Sequence, residues 1–516
     1  MDEDAQAITG EEAAQSEAAG FLRSLGAQAH ESSLPAVTHI SRVFFAGARA
    51  YKLKRAVRTP YLDFTTLEAR CAACAREVEL NRRTAPDLYL GLRRITREAT
   101  GLAFDGDGPL VECVVEMRRF AQDALLDGIA RRGALDAAMM DALAARVASL
   151  HGDAQPTRDA PSLAPVLAMN RAATLATFLR DAPGAQDLLA RMERAFAQVE
   201  PLIARRAADG KARRCHGDLT LRNIVLLDGA PTPFDCLEFD EKLATIDVLY
   251  DLAFTLMDLM RLGLEDLANA LLNRYLDRRE ESDGLPLLPL FIALRALVRA
   301  HVAARMAQEK PAGQREPLEE EAHAYLAAAI RALPGDAPPA QAPRLIAIGG
   351  LSGSGKSTLA AALAPRLAPP PGARTLSSDR IRKALFGRAA TQRLPPEAYA
   401  PDVSAQVYEE MRARAGACLR AGWNVVADAV FDRAQDRDAI AQTARACGAD
   451  FIGVWLEAPQ DVLEARVRAR VNDPSDADCA VLAAQAQRLA QAGAPADWRR
   501  LDARNAPQDN AAALSA

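Results

Sequence analysis

Gly350-Leu351-Ser352-Gly353-Ser354-Gly355-Lys356-Ser357-Thr358 follows a short apolar run, Leu345 to Ile348, and opens an amphipathic helical pattern from Lys356 to Leu367. A strand, a glycine loop and a helix in that order match G-x-x-x-x-G-K-[ST]. The glycines of such a loop let successive backbone amides turn toward bound phosphate groups. Lys356 then reaches the outer phosphates, and the Ser357 hydroxyl is a ligand for magnesium. ATP and Mg2+ are therefore expected along Gly350 to Thr358.

Downstream, further short strands are expected at Arg374 to Ser377, Asn424 to Ala427 and Phe451 to Leu456, separated by helical stretches. Such alternation predicts a parallel sheet with helices on both faces. Ser378-Asp379-Arg380-Ile381-Arg382 follows the second strand, where a carboxylate at the carboxyl edge of the sheet faces an acceptor hydroxyl. Asp379 is the candidate to take that proton. Asp428 ends the third strand and is placed to orient magnesium's waters or the acceptor, although aspartates at strand ends also serve as caps. Arg466, Arg468 and Arg470 alternate in a predicted helix before the polar run Asn472 to Ala477. This segment either closes over ATP, bringing Arg466 and Arg470 to the transferring phosphoryl group, or is a solvated helical face.

Over roughly Leu345 to Leu501 the sequence resembles the P-loop kinases of the polynucleotide 5'-kinase, gluconate kinase and zeta-toxin group. The resemblance rests on GLSGSGKST, on SSDRIRKALFG at Ser377 to Gly387 and on the arginine-rich segment. It implies that Asp379 is the base and that Arg382, three residues on, contacts phosphate. The same D-x-x-R spacing also suits an exposed ion pair at a helix start.

Before this region, Cys215-His216-Gly217-Asp218-Leu219-Thr220-Leu221-Arg222-Asn223 precedes an apolar strand and Phe234-Asp235. It resembles the H-G-D-x-x-x-x-N catalytic loop of aminoglycoside and choline phosphotransferases, which shares its spacing with the protein-kinase loop. By that match Asp218 is the base, Asn223 and Asp235 are metal ligands, and His216 braces the loop. The same fold needs a lysine for the phosphates and a helical glutamate to hold it. Lys52 and Lys54 share one strand face, and Glu77 and Glu79 end a predicted helix. Lys52 with Glu77 is preferred because Glu77 lies nearer the apolar stripe, with Lys54 and Glu79 as alternatives. That helix is expected to start at Thr65, since Thr65-Thr66-Leu67-Glu68 has capping-box spacing. Strands are expected at Arg42 to Phe45, Ala50 to Leu53 and Val111 to Met117, with Val111 to Arg118 as the hinge whose backbone reads adenine. Ile246 to Ala253 resembles the family's structural D-x-x-x-D-L-A turn. Two departures stand out: Phe44 to Ala48 holds a single glycine where a phosphate loop is expected, and Asp235-Cys236-Leu237-Glu238 replaces D-F-G.

The 516 residues, half of them hydrophobic and a quarter charged, allow two domains. A tail is expected at 1–20, an aminoglycoside-phosphotransferase-like domain at 21–333, a Pro/Ala/Gly-rich linker at 334–343 and a P-loop kinase domain at 344–516. The fold class is an α+β kinase-like bilobal domain followed by an α/β P-loop domain, as in the bacterial bifunctional phosphotransferase/ATP-binding proteins that the whole resembles. A net charge of -5 gives no general reason to bind nucleic acid or membrane, so a small-molecule acceptor ranks above a polynucleotide. The reading that competes with two kinases makes the first domain a pseudokinase module regulating the second. The acidic N-terminus lacks signal-peptide character, and Arg295 and Arg299 interrupt the apolar segment Leu285 to Ala304, so a cytoplasmic protein is expected. Eight cysteines suggest no disulfide framework, and Cys71 and Cys74 are read as packing residues on a helical stripe with Leu67 and Val78.

Overall fold

The computed structural model describes residues 2–28, 35–38, 40–59, 62–158, 162–335, 342–470 and 473–515. They form two compact units, one of residues 1–135, 149–161 and 207–251, the other of residues 136–148, 162–206 and 252–516. Most of the expected linker, at 336–341, lies outside the described residues, as does Asn472.

The first unit begins with α1 (Asp2–Gln28) and is built on an antiparallel sheet. Its strands are β1 (Ala36–Val37), β2 (Ser41–Ala46), β3 (Arg49–Lys54), β4 (Tyr89–Glu98), β5 (Gly101–Phe104) and β6 (Leu110–Arg118), with α2 (Leu67–Asn81) between β3 and β4. The spatial order is β1-β2-β3-β6-β4-β5, so β6 inserts beside β3 and pairs Val115 with Lys52. Side chains alternate across a strand. Tyr51 and Leu53 accordingly join the cluster that holds Ala18, Ala19 and Leu22 of α1, whereas Ala50 joins the cluster of Cys74 and Val78 on α2. Lys52 and Lys54 share the face of Ala50, toward α2.

The expectation of a solvated tail at 1–20 is corrected by α1. Ala18 and Ala19 are buried, and Gln15 donates to the Lys54 carbonyl at 2.6 Å and accepts from the Ala56 amide at 3.0 Å. The acidic opening carries no apolar stripe, and the stripe that anchors the helix starts only at Ala18. The capping expectation moves by one residue: Thr66, not Thr65, is the N-cap of α2, accepting from the Ala69 amide at 3.2 Å, while the Thr65 hydroxyl donates to Asp63. Thr66→Ala is expected to destabilise the first unit by about 1 kcal/mol in urea denaturation, the usual value of a capping side chain. The cysteine reading is corrected too. Cys71 is bonded to Cys113 of β6, because α2 lies across that strand, while Cys74 is a buried packing residue as expected.

The rest of the first unit frames the H-G-D loop. β7 (Ala212–Arg214) leads into it, the hairpin β8 (Ile224–Leu227) and β9 (Ala230–Pro233) follows it, and β10 (Thr245–Asp247) pairs with β7.

The second unit combines helices with a parallel sheet. The helices include α3 (Glu265–Leu276), α4 (Leu288–Gln308) and α5 (Glu316–Ala332). Among the described residues one segment, Ser282–Gln308, is long and apolar enough to cross a membrane, and 72% of its apolar window is buried inside the protein. Arg295, which interrupts it, lies 3.9 Å over the Phe254 ring. The sheet runs β11 (Arg344–Gly349), β12 (Arg374–Ser377), β13 (Val425–Asp428), β14 (Asp450–Glu457) and β15 (Arg499–Asp502), in spatial order β12-β13-β11-β14-β15, all parallel. Between and after these strands come α6 (Lys356–Leu363), α7 (Ser378–Leu385), α8 (Pro401–Arg420), α9 (Gln460–Arg468) and α10 (Cys479–Ala492). Ile346, Ile348, Val426 and Val454 pack under Leu359 and Leu363 of α6 to form its core. The helix expected to reach Leu367 ends at Leu363, where Pro365 allows only a 3-10 turn. β15 has no apolar alternation because it is an exposed edge strand.

Helix α3 grips the strand that leads to Asp379. Asn269 donates to the Pro371 and Ala373 carbonyls at 3.1 and 3.0 Å, and the Thr375 amide donates to Asn273 at 2.7 Å. Arg374 pairs with Asp277 at 2.8 Å, and Arg380 lies 3.6 Å from the same carboxylate.

Candidate functional site

At the carboxyl end of β11 the backbone turns through Gly350, Gly353 and Gly355, all at positive φ. A Cβ at Gly353 would lie 2.6 Å from the Leu463 carbonyl oxygen, and one at Gly350 would lie 2.8 Å from that of Leu456, so only glycine fits these two positions. Lys356 opens α6 and donates to the Leu351 carbonyl at 3.0 Å, and Ser357 donates to Asp428 at 2.5 Å. Ser354 Oγ is buried without a hydrogen-bond partner. An orphaned hydroxyl inside a loop of turned amides fits an anion that supplies the missing acceptor. A cavity of about 190 Å3 opens beside it, lined by Ser354, Gly355, Thr358, Leu456, Arg466 and Asn505 among others.

Asp379, in the first turn of α7, and Asp428, at the end of β13, are brought to the same loop as Lys356. Burial raises both carboxyls above their ordinary range, partly offset by the Lys356 ammonium, and burial likewise lowers Lys356. Of the predicted arginines, Arg470 lies within the electrostatic reach of Lys356 and Asp379. Arg466 donates to the Ala503 and Gly353 carbonyls at 3.0 and 3.5 Å, bordering the cavity. Arg468 turns outward to Glu464. Arg382 donates to the Ala398 carbonyl at 2.6 Å and Ser404 at 3.3 Å and lies 5.0 Å over the Tyr399 ring, contacts that tie α7 to the start of α8.

Three participants had no individual role assigned from sequence. Gln485 of α10 accepts from the buried Ser352 amide at 2.9 Å. Ser475 hydrogen-bonds Asp379. Asp476 accepts from Lys383 at 2.7 Å, the Leu394 amide at 3.0 Å and the Tyr399 hydroxyl at 2.6 Å. The polar run that contains Ser475 and Asp476 was visible in the sequence, but nothing local marks Gln485 as a partner of residue 352.

In the first unit the two candidate lysines form one buried cluster. Lys52 pairs with Glu77 at 2.8 Å and with Asp235; Lys54 pairs with Glu77 at 2.5 Å and with Glu238. Glu79 is exposed and bonds Arg76. Burial disfavours the Lys52 ammonium, but Asp235 and Glu77 more than compensate and hold it well above its ordinary value. Burial pushes Glu77 and Asp235 up, and the lysines bring both below the usual carboxylate range; Glu238 stays above it because burial prevails. Asp235 sits at φ +60°, its amide donating to the Tyr89 hydroxyl at 3.1 Å, and the next amide donates to Asn81 at 2.8 Å. Asn223 donates to the Asp218 carboxylate at 2.8 Å and carbonyl at 2.9 Å, both bonds made by its amide nitrogen.

His216 bonds the Phe234 carbonyl at 2.9 Å, and burial lowers it, so it is a neutral brace. Asp251 accepts from the His216 and Gly217 amides at 3.1 and 2.8 Å and bonds His151 at 3.1 Å. His151, Cys215 and Asp251 are close enough to surround a cation, but Asp251 is committed to holding the H-G-D turn. Gly47 and Ala48 form only a two-residue turn between β2 and β3, so no long glycine loop lies between these strands.

Fold and loops together define an α+β unit that carries the H-G-D loop and a parallel-sheet domain that carries the P-loop. Residues 345–492 match the AAA domain family. Uncharacterized proteins of Mycobacterium tuberculosis and Mycobacterium bovis are 32% identical to the chain over 474 residues, covering 89% of it and 90% of their own length. The chain belongs to the family of these mycobacterial proteins. Among solved structures, the GDP complex of an aminoglycoside 2'-phosphotransferase is similar over 60% of this chain and 99% of its own, at 14% identity and a TM-score of 0.38. An APS kinase of Mycobacterium tuberculosis in complex with AMPPNP and APS is similar over 34% and 96%, at 22% identity and a TM-score of 0.25. A gluconokinase of Sinorhizobium meliloti is similar over 34% and 95%, at 21% identity and a TM-score of 0.23.

Proposed function

We propose that this protein is an ATP-dependent phosphotransferase whose P-loop domain transfers the γ-phosphoryl group of ATP to a hydroxyl, with a small molecule as the acceptor. The observation that carries this reading is the convergence of Lys356, Ser357, Asp379 and Asp428 on a loop whose buried Ser354 hydroxyl lacks a partner. The loop amides and Lys356 hold the phosphates, and the cavity beside Thr358 and Arg466 takes the rest of the nucleotide. Asp379, made more basic by burial while Ser475 and Lys356 favour its carboxylate form, accepts the acceptor's proton, and Arg470 faces the charge on the transferring group. Ser357 and Asp428 are the residues that would hold Mg2+, which supplies charge neutralisation at the phosphates. In the first unit Lys52 with Glu77 would hold phosphates, Asp218 would serve as base, and Asn223 and Asp235 would hold metal.

Two features favour a regulatory, nucleotide-binding role for that first unit: the two-residue turn between β2 and β3, and Leu237 at the glycine position of D-F-G, followed by Glu238, which ties Lys54. The test is transfer of γ-labelled phosphate from ATP into fractionated cytosolic extract. Asp379→Asn is expected to slow transfer by about a hundredfold or more, the usual worth of a general base. Asp218→Asn is expected to leave it within a few fold. Loss in Asp218→Asn alone would assign the transfer to the first unit.

A further inference from the structure

Cys71 stands on α2, less than two turns ahead of Glu77, and Cys113 stands on β6, beside the strand that carries Lys52. Their disulfide ties the helix that presents Glu77 to the sheet that presents Lys52. Next to it, Arg70 and Glu112 form a buried ion pair at 2.9 Å, so helix residues 70 and 71 meet strand residues 112 and 113 through two adjacent links. Only the covalent link can be opened by electron transfer.

The cluster also has a direction of attack. Cys71 is partly exposed, whereas Cys113 is 2% exposed. Cys74, the nearest free thiol, is fully buried, donates to the Cys113 carbonyl at 3.6 Å, and is pushed up to about 12 by burial, so it stays a thiol and does not capture the bond. A small reductant therefore meets Cys71 Sγ first.

We propose that Cys71–Cys113 is a thiol–disulfide exchange site at which a low-molecular-weight thiol sets how firmly Glu77 is held against Lys52. The thiolate attacks Cys71 Sγ and forms a mixed disulfide, while Cys113 leaves with the bonding pair and takes up a proton. A second thiol attacks the mixed disulfide, releases Cys71 as a thiol and leaves as the oxidised reagent. Two electrons and two protons pass to the protein. Once the bond is open, α2 is still held by Arg70, by Arg76 and Asn81, by apolar packing and by Glu77 itself, but the loop closed across a sequence separation of 42 residues is released. The effect on nucleotide rests on the reading of Lys52 and Glu77 given above; the exchange site itself does not.

The test uses the full chain prepared without reductant. Denatured and alkylated, it should label six cysteines, rising to eight after dithiothreitol. Reduction should raise amide hydrogen exchange in residues 67–81 by about tenfold or more, as expected for a locally released helix, and leave residues 350–363 unchanged. Cys71→Ser should show the faster exchange with or without dithiothreitol. Should that variant fail to fold, the reductant arm on the natural chain decides alone. Eight labelled thiols before reduction, or exchange in 67–81 that ignores dithiothreitol, overturns the proposal. Binding of a fluorescent ATP analogue to the Lys356→Ala chain is read in parallel. Weakening on reduction supports the proposal in full. Faster exchange in a first unit that never binds the analogue upholds the redox site and refutes the nucleotide role of Lys52 and Glu77.

Discussion

Lys356→Ala is expected to lower phosphoryl transfer by about a hundred- to a thousandfold, the loss that follows removal of one preorganised donor from a developing negative charge. Lys356 is held in place before any nucleotide arrives: it opens α6 and donates to the Leu351 carbonyl at 3.0 Å. Burial lowers its ammonium, and Asp428 and Asp379 restore part of that loss, so a phosphate anion adds the counter-charge the site lacks. Alanine removes the ammonium but leaves the glycine turns and the Ser357 to Asp428 hydrogen bond. The fold should therefore survive while nucleotide affinity and rate fall together. Initial-rate kinetics over a range of ATP concentrations, with a thermal melt as control, check this. A rate within threefold of the natural chain would remove Lys356 from the chemistry.

Glu77→Ala is expected to destabilise the first unit by about 3–5 kcal/mol, the cost of breaking a buried ion pair from one side. Glu77 is fully buried and bridges Lys52 and Lys54, so its loss leaves each lysine with a single carboxylate, Asp235 or Glu238. The two units can be followed separately. All three tryptophans, Trp423, Trp455 and Trp498, lie in the second unit. Tryptophan emission should keep its urea midpoint, while an earlier transition appears in far-ultraviolet circular dichroism. Glu79→Ala, at an exposed pair with Arg76, should move neither signal.

The P-loop domain was legible because its signals are contiguous. A strand, a glycine turn and a helix within twenty residues carry their own punctuation, and the strand at Arg374 to Ser377 was read to its boundaries. The H-G-D loop was legible for the same reason, and the pairing of Lys52 with Glu77 rested on the nearness of Glu77 to the apolar stripe, which could not show both lysines bound to that one glutamate. What escaped are pairs formed by the tertiary fold alone: Lys54 with Glu238, Asp476 with Lys383, Gln485 with residue 352, and Cys71 with Cys113. None of these has a spacing rule, because the partners lie on different elements tens to hundreds of residues apart. The burial of α1 escaped for a different reason, since its opening is polar and acidic and the apolar residues that pack it, from Ala18 to Leu25, lie in its second half.

The proposed reaction is transfer of the γ-phosphoryl group of ATP, held by the loop at Gly350 to Thr358, to an organic hydroxyl. It is tested most directly by a single turnover of γ-labelled ATP, with protein in excess, in the presence of a fractionated extract of small molecules. Label is expected in an acid-stable organic phosphate, formed by the natural chain and by Asp218→Asn but not by Lys356→Ala or Asp379→Asn. Label recovered only as inorganic phosphate, with every fraction of the extract, would contradict it and leave a nucleotide-hydrolysing switch in its place.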